Sequence, residues 1–448
     1  MKRTIIMVTL LLMLLTSLSS AQNWPVKKHV YDNGMRLLVL EDHSTPSINM
    51  QIWYHVGSKN ERPGITGVSH LFEHMMFMGT DKVGPEDFSR IIQKNGGISN
   101  AYTTADMTVY HQDIGKDQLD LVAELEADRL QHLKINPENL ASERQVVLEE
   151  RGWRYENSPF GDILIQLNAN MYLAHPYQWL PIGWRKDIED ITVEDCQRYF
   201  DTYYNPGNAV MVIAGDVKFD DVVKVIDKYF GDIPGNSDFP RPIWDEPEQK
   251  GERRVDFHKV SQLPIFVAGY HAPAAGTDDS YPLTVLARIL SGGESSRAYQ
   301  RLVYNEQIAL FAGGEYGPNE QEGTFYAYAA MQPGNTTAAG EKSLYDEIEK
   351  LKNEPVTADE LQKAKNQLEA EYFMGAQSLE QKASRLGYAE TIVGDYNTVF
   401  DEPAKYAAVT AEDIMRVAKK YLDPMKRTVI TVIQEQQSSP MMGLQGGN

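Results

Sequence analysis

Two stretches some two hundred residues apart repeat one another, and this limits the fold more than any other feature of the chain. ITVEDCQRYFDTYYNPGNAVMVIAGD begins at Ile191, and VTAEDIMRVAKKYLDPMKRTVITVIQE begins at Val409, 218 positions later. Both read Ile/Val-Thr-x-Glu-Asp, then a helical run, then Asn/Asp-Pro, then an apolar strand. Thr192 and Thr410 are expected N-caps, because Asp195 and Asp413 follow three positions on and can return a hydrogen bond to the cap. Asn205-Pro206 and Asp423-Pro424 keep the same offset. Two copies indicate a duplicated domain rather than a solenoid. The expected fold class is therefore α+β, with two similar halves, each a mostly antiparallel sheet with helices on one face.

The rest of the pattern fits this division. Asp32-Asn33-Gly34 between β-rich runs signals a hairpin, and 48–56 alternates as a strand does. Helical periodicity covers about 66–78, 85–95, 117–133, 138–157 and 192–204, and 209–216 reads as a buried strand. A proline-rich stretch without periodicity, 233–252, is the expected linker. The halves are then 22–232 and 253–436, with a polar, glycine-rich tail at 437–448 expected to be disordered. Residues 1–21 combine Lys2 and Arg3, an apolar run from Ile5 to Leu15 and small residues before Gln22. That is the pattern of a cleaved signal peptide, and it implies a secreted, periplasmic protein. The apolar run is too short for a comfortable membrane span.

The formal charge of −20 argues against nucleic acid as a partner, since phosphate binding needs clustered Lys and Arg. Cys196 is the only cysteine, so no internal disulfide can form and stability must come from the core or a metal.

The chemistry concentrates in HLFEHMMF, residues 70–77. On a helical wheel with His70 at zero, His74 falls at about +40° and Glu73 at about −60°. Val68, Leu71, Phe72, Met75 and Met76 fill the other side. Two histidines four apart are about 6 Å apart along the axis, close enough to share one zinc ion. Glu73 is placed to take a proton from water that such an ion makes acidic. The order H-x-x-E-H is that of the inverzincins. A zinc peptidase site needs a third protein ligand. The acidic helix at 138–156 offers Glu143 and Glu150, seven apart on one face, and the pattern alone does not choose between them.

HLFEHMMFMGT together with ERQVVLEE resembles the pitrilysin/insulinase family of zinc metallopeptidases, which includes the β-subunit of the mitochondrial processing peptidase. The resemblance extends to DNGMRLLVLEDHSTPSINMQIWYHVGSKNE and to GGISNAYTTADMTVY, and it spans nearly the whole chain after residue 21. It implies a zinc endopeptidase whose two halves enclose a chamber. The ligands it implies are His70, His74 and Glu150, with Glu73 as general base and Glu143 behind a ligand histidine. It makes Asn100, Ala101, Tyr102 and Thr103 an edge that pairs with extended peptide. Active members also carry an Arg and a Tyr seven apart in the second half. Aligned on NEQIA, those positions are Val303 and Leu310 here, while Arg301, Tyr304 and Tyr316 are out of register. The second half also lacks H-x-x-E-H. The resemblance therefore implies a homologous partner chain that supplies the Arg/Tyr pair, in a heterodimer. A peptide-binding or assembly subunit with little turnover is the competing expectation.

Overall fold

The computed structural model describes residues 24–158, 160–261 and 263–435. The signal-peptide and tail expectations lie outside the described residues. The first sheet is built from β1 (Val26–Val30), β2 (Arg36–Glu41), β3 (Ser47–Tyr54), β4 (Ile98–Thr103), β5 (Thr108–Gly115) and β6 (Ala209–Gly215). The second is built from β7 (Arg253–Lys259), β8 (Ile265–Ala272), β9 (Ala309–Gly317), β10 (Gly323–Met331) and β11 (Arg427–Gln434).

Their orders are β1-β2-β6-β3-β5-β4 and β7-β11-β8-β10-β9. Without β1 the two orders superpose strand for strand. Each has one parallel pair, β2–β6 or β7–β11, and antiparallel pairs elsewhere. The duplication is thus one of topology as well as sequence. Thr192 and Thr410 both form complete capping boxes, with Asp195 and Asp413. Tyr31–Met35 makes the expected hairpin turn, and Gly34 supplies its left-handed residue at φ 86°. Cys196 is fully buried.

Each half packs its own helices on one face of its sheet, as expected. In the first half these include Val68–Met75, Leu119–His132, Val193–Tyr203 and Phe219–Phe230, closing over Leu37, Ile52, Tyr54, Tyr110 and Ile213. The other face is not bare, and here the expectation of one covered face is incomplete. Leu38, Trp53, Val109 and Val212 are covered by Ala383 and Leu386, from the second-half helix Leu379–Tyr388. Reciprocally, Ile163 and Leu167 of the first-half helix Gly161–Met171 cover Ile265, Val267, Ile430 and Val432. A central strand such as β6, buried along its whole length, needs apolar cover on both faces. The two halves supply it by exchanging helices.

Residues 234–250 have no regular secondary structure, which fits a connector. An open cavity of about 440 Å³ lies between the halves, lined by Trp53 and Tyr102 from the first half and Tyr281, Tyr316, Tyr388 and Glu402 from the second. It lies on the Trp53 face of the first sheet. Phe72 and the His70 helix pack on the Tyr54 face. This cavity and the H-x-x-E-H residues are therefore on opposite sides of the sheet.

Candidate metal centre

The His70 helix is fixed from its start. Gly67 precedes it at φ 90°, a left-handed conformation that favours glycine. The Glu61 carboxylate accepts hydrogen bonds from the amides of Gly67 (2.9 Å) and Ser69 (2.8 Å), which satisfies two donors the helix leaves open. Glu61 is buried, and that burial pushes its carboxyl up to about 8 against the pull of these donors. Tyr199 adds a hydrogen bond to the Ser69 hydroxyl, 2.7 Å. Val68, Leu71, Phe72 and Met75 are fully buried. His70, Glu73 and His74 are left on the open side.

The facing helix, Pro137–Arg151, begins with Asn136 capping the Asn139 amide and Pro137 in the first turn. It turns Glu143 and Glu150 toward the histidines. Glu150 Oε2 lies 3.5 Å from His70 Nε2 and 3.6 Å from His74 Nε2. Glu143 Oε2 lies 3.4 Å from His74 Nδ1, on the far side of that ring. Ligand atoms of His70, His74 and Glu150 all fall within 4.8 Å of one another. Tetrahedral ligands at about 2.1 Å from zinc stand about 3.4 Å apart, so the two Glu150 separations fit a zinc ion without rearrangement. The donor set, two imidazoles and a carboxylate, suits that metal.

The electrostatics follow from burial and proximity. Burial pushes His70 down to about 4, with His74 adding to the effect. Burial also opposes charge on His74, but the Glu143 and Glu150 carboxylates outweigh it and raise it to about 9. The hydrogen bond from His74 holds Glu150 down to about 2. Glu150 ionised and His70 neutral are the states a dication needs, while His74, held protonated by its two carboxylates, must give up its proton when a metal binds. Burial raises Glu73, and the Thr103 hydroxyl donates to its Oε2 at 2.6 Å.

Glu73, His74, Phe77, Asn100, Ala101 and Glu143 line an open groove of about 360 Å³. β4 is the edge strand of its sheet, pairing among the described residues with β5 alone. Of the four expected edge residues, Asn100 and Ala101 line the groove and Thr103 holds Glu73. The Tyr102 ring turns to the other face, edge-on to Trp53 at 6.2 Å. Alternation along a strand sends Tyr102 to the face opposite its neighbours Ala101 and Thr103.

The second half contributes no lining residue to this groove among the described residues. Val303 packs beside the second core and Leu310 is about half exposed on β9. Arg301 pairs with Glu306 and Glu347, and Tyr316 donates to the Pro273 carbonyl at 2.7 Å.

Several residues were not foreseen from the sequence. Arg154 donates to Glu150 Oε1 at 3.0 Å from a π-helical turn, Gly152–Glu156, and so fixes the carboxylate from behind. Its position four after Glu150 was the available signal. Glu61 carried no such signal, because its partners are backbone amides.

Residues 36–176 match the family model described as Insulinase (Peptidase family M16), and 190–368 match that described as Peptidase M16 inactive domain. The zinc protease PqqE of Helicobacter pylori is 31% identical over 437 residues, covering 96% of this chain and 98% of that one. The chain belongs to peptidase family M16. Another M16 relative, an uncharacterized zinc protease of Bacillus subtilis named YmxG, is 24% identical over 88% of this chain and 95% of its own. Among solved structures, a protease from Helicobacter pylori superposes with a TM-score of 0.88 at 30% identity, covering 91% of this chain and 99% of that one. The periplasmic protease PqqL of Escherichia coli shares the fold, with a TM-score of 0.77 at 17% identity over 92% of this chain but 48% of its own. The match whose description carries the word inactive begins at residue 190, in the last part of the first half, and lies mostly on the half that lacks H-x-x-E-H.

Proposed function

We propose that this M16 chain is a zinc-dependent endopeptidase acting on peptides or unfolded segments, with one zinc ion held by His70, His74 and Glu150. The observation that carries the reading is the convergence of those three donors within 4.8 Å of one another, beside a groove under the β4 edge. When bound there, zinc supplies Lewis acidity, making water acidic near neutral pH and polarising a carbonyl oxygen. Glu73 takes the proton from the attacking water and returns it to the leaving amine. Thr103 orients Glu73, and Glu143 fixes the ring of His74. The outer edge of β4 pairs with the extended substrate by strand addition, which favours segments whose backbone groups are not already paired.

Glu73→Gln tests the mechanism. It is expected to abolish hydrolysis of an unstructured peptide while zinc and peptide binding persist, and unchanged hydrolysis overturns it.

The proposal includes a homologous partner chain, in a secreted, periplasmic heterodimer. Two observations support the partner. The groove has no wall from the second half, and this chain spans about half the length of PqqL. Purified chain should cleave slowly and gain activity when reconstituted with a chain carrying the Arg/Tyr pair. Equal rates with and without that chain refute the heterodimer. Val303 and Leu310 at the expected Arg and Tyr positions favour the second reading, a peptide-binding subunit with little turnover. Peptide binding without hydrolysis, even after reconstitution, would decide for it.

A further inference from the structure

A second set of metal-type donors meets on the opposite face of the first sheet. His111 and Asp113 are two apart on β5, so both side chains leave the same face. It is the face that carries Val109 and Trp53 and that the 379–388 helix covers. Glu380, in the first turn of that helix, reaches the pair from the second half. The ligand atoms of His111, Asp113 and Glu380 lie within 4.8 Å of one another, and His111 Nδ1 is 3.6 Å from Glu380 Oε1.

Rigid elements hold all three. β5 is paired on both sides, with His111 between Gln51 of β3 and Asn100 of β4. Gln51 Nε2 ties the helix down through the Glu380 carbonyl and the Ser384 hydroxyl, each at 3.1 Å. Asn49 Nδ2 donates to Asp113 Oδ1 at 3.0 Å, which orients that carboxylate and leaves Oδ2 free to bind.

The charges do not balance. Among the described residues, neither Asp113 nor Glu380 has a Lys or Arg partner within 4 Å, and the His111 side chain is only 14% exposed yet has no closer polar partner than Glu380. A protonated imidazole would offset one carboxylate and leave the other. A dication offsets both, and an imidazole among the donors selects a zinc-class ion over calcium or magnesium.

The geometry points to a second divalent-metal site, His111–Asp113–Glu380, that takes a zinc-class ion and pins the second-half helix to the first-half sheet. None of the three residues belongs to the His70 centre, so this inference stands apart from the peptidase reading. An ion that binds only the folded arrangement stabilises it by mass action.

The test uses full-length protein stripped with chelator and titrated with zinc. Wild type should take up two equivalents, and Glu380→Gln, His111→Asn and His70→Ala one each. Glu380 is about half exposed on a first helical turn, so its neutralisation leaves the fold intact. In His70→Ala, zinc should still raise the melting temperature, and adding Glu380→Gln should remove that rise. Uptake by Glu380→Gln equal to that of wild type, no zinc-dependent rise in His70→Ala, or a rise that survives in the double variant overturns the site. The last outcome would mean an adventitious ion only.

Discussion

Glu143→Gln isolates what a carboxylate behind the proposed ligand His74 contributes. Glu143 is 9% exposed and its Oε2 lies 3.4 Å from His74 Nδ1. The amide keeps the shape and removes the charge. A full charge pair at that distance is worth about 5 kcal/mol at an effective dielectric of about 20. An imidazole on a metal is neutral and carries only part of that charge, so the expected loss is smaller. Loss of a partner of this kind weakens metal binding about 10- to 100-fold, or about 1.4–2.7 kcal/mol. The assay is chelator competition for zinc at fixed pH and ionic strength on the full-length chain, with a thermal melt to show that the fold is kept. Unchanged affinity would show that Glu143 does not support His74. A loss beyond about 1,000-fold would make Glu143 a direct ligand and refute the assignment of Glu150 as the third donor.

Other perturbations test the frame around the site. Glu320 bridges the halves through His55 (2.7 Å) and Lys59; although burial opposes it, these partners hold its carboxyl down to about 2. Its folded value lies below the unfolded one, so this stability is complete above about pH 4.5 and fades as pH falls toward 2. It amounts to about 3 kcal/mol, and urea unfolding across that window should show the loss in wild type and not in Glu320→Gln. Gly387 lies against the Trp53 ring, and a Cβ there would overlap ring atoms. Gly387→Ala should cost about 1–3 kcal/mol by calorimetry and loosen the two halves together, and a neutral result would contradict the exchanged-helix packing. Glu61→Gln turns an amide donor toward one of the two backbone donors that start the His70 helix. It should cost about 1–3 kcal/mol and lower zinc occupancy, with metal content and melting temperature as readouts.

What the sequence reveals depends on whether the determining interaction is local. The capping boxes at Thr192 and Thr410 and the turn at Asp32-Asn33-Gly34 are settled within four or five residues, and all three form as read. His70, Glu73 and His74 share a face because helical geometry requires it. Choosing between Glu143 and Glu150 was beyond the helical wheel, which gives direction around an axis but not depth along a neighbour. In the structure Glu150 meets both Nε2 atoms and Glu143 meets the outer nitrogen of one ring. The exchanged helices were less legible still. Ala383 and Leu386 give 379–388 an apolar face, but nothing in that segment says it will cover Trp53, some 330 positions earlier. Periodicity states that a face must be buried and does not name its cover.

The same exchange explains why a duplicated chain carries an open metal groove. Each sheet has two faces, and one face of each is spent on holding the halves together. The His70 helix packs on the remaining face of the first sheet, so its groove points away from the chain's own second half. That half could be rotated over the groove only by withdrawing the 379–388 helix from Leu38, Trp53 and Val212, which exposes a continuous apolar surface. The cost of uncovering those side chains, about 1.5–3 kcal/mol for each large one, forbids the rotation as a working motion. The proposed partner chain would supply the wall opposite Glu73 that the described residues of the second half do not. Val146 on the groove rim and Trp153 in the adjoining turn are 44% and 78% exposed, and they offer such a wall apolar surface to bury. This is the physical reason the proposal includes a second chain.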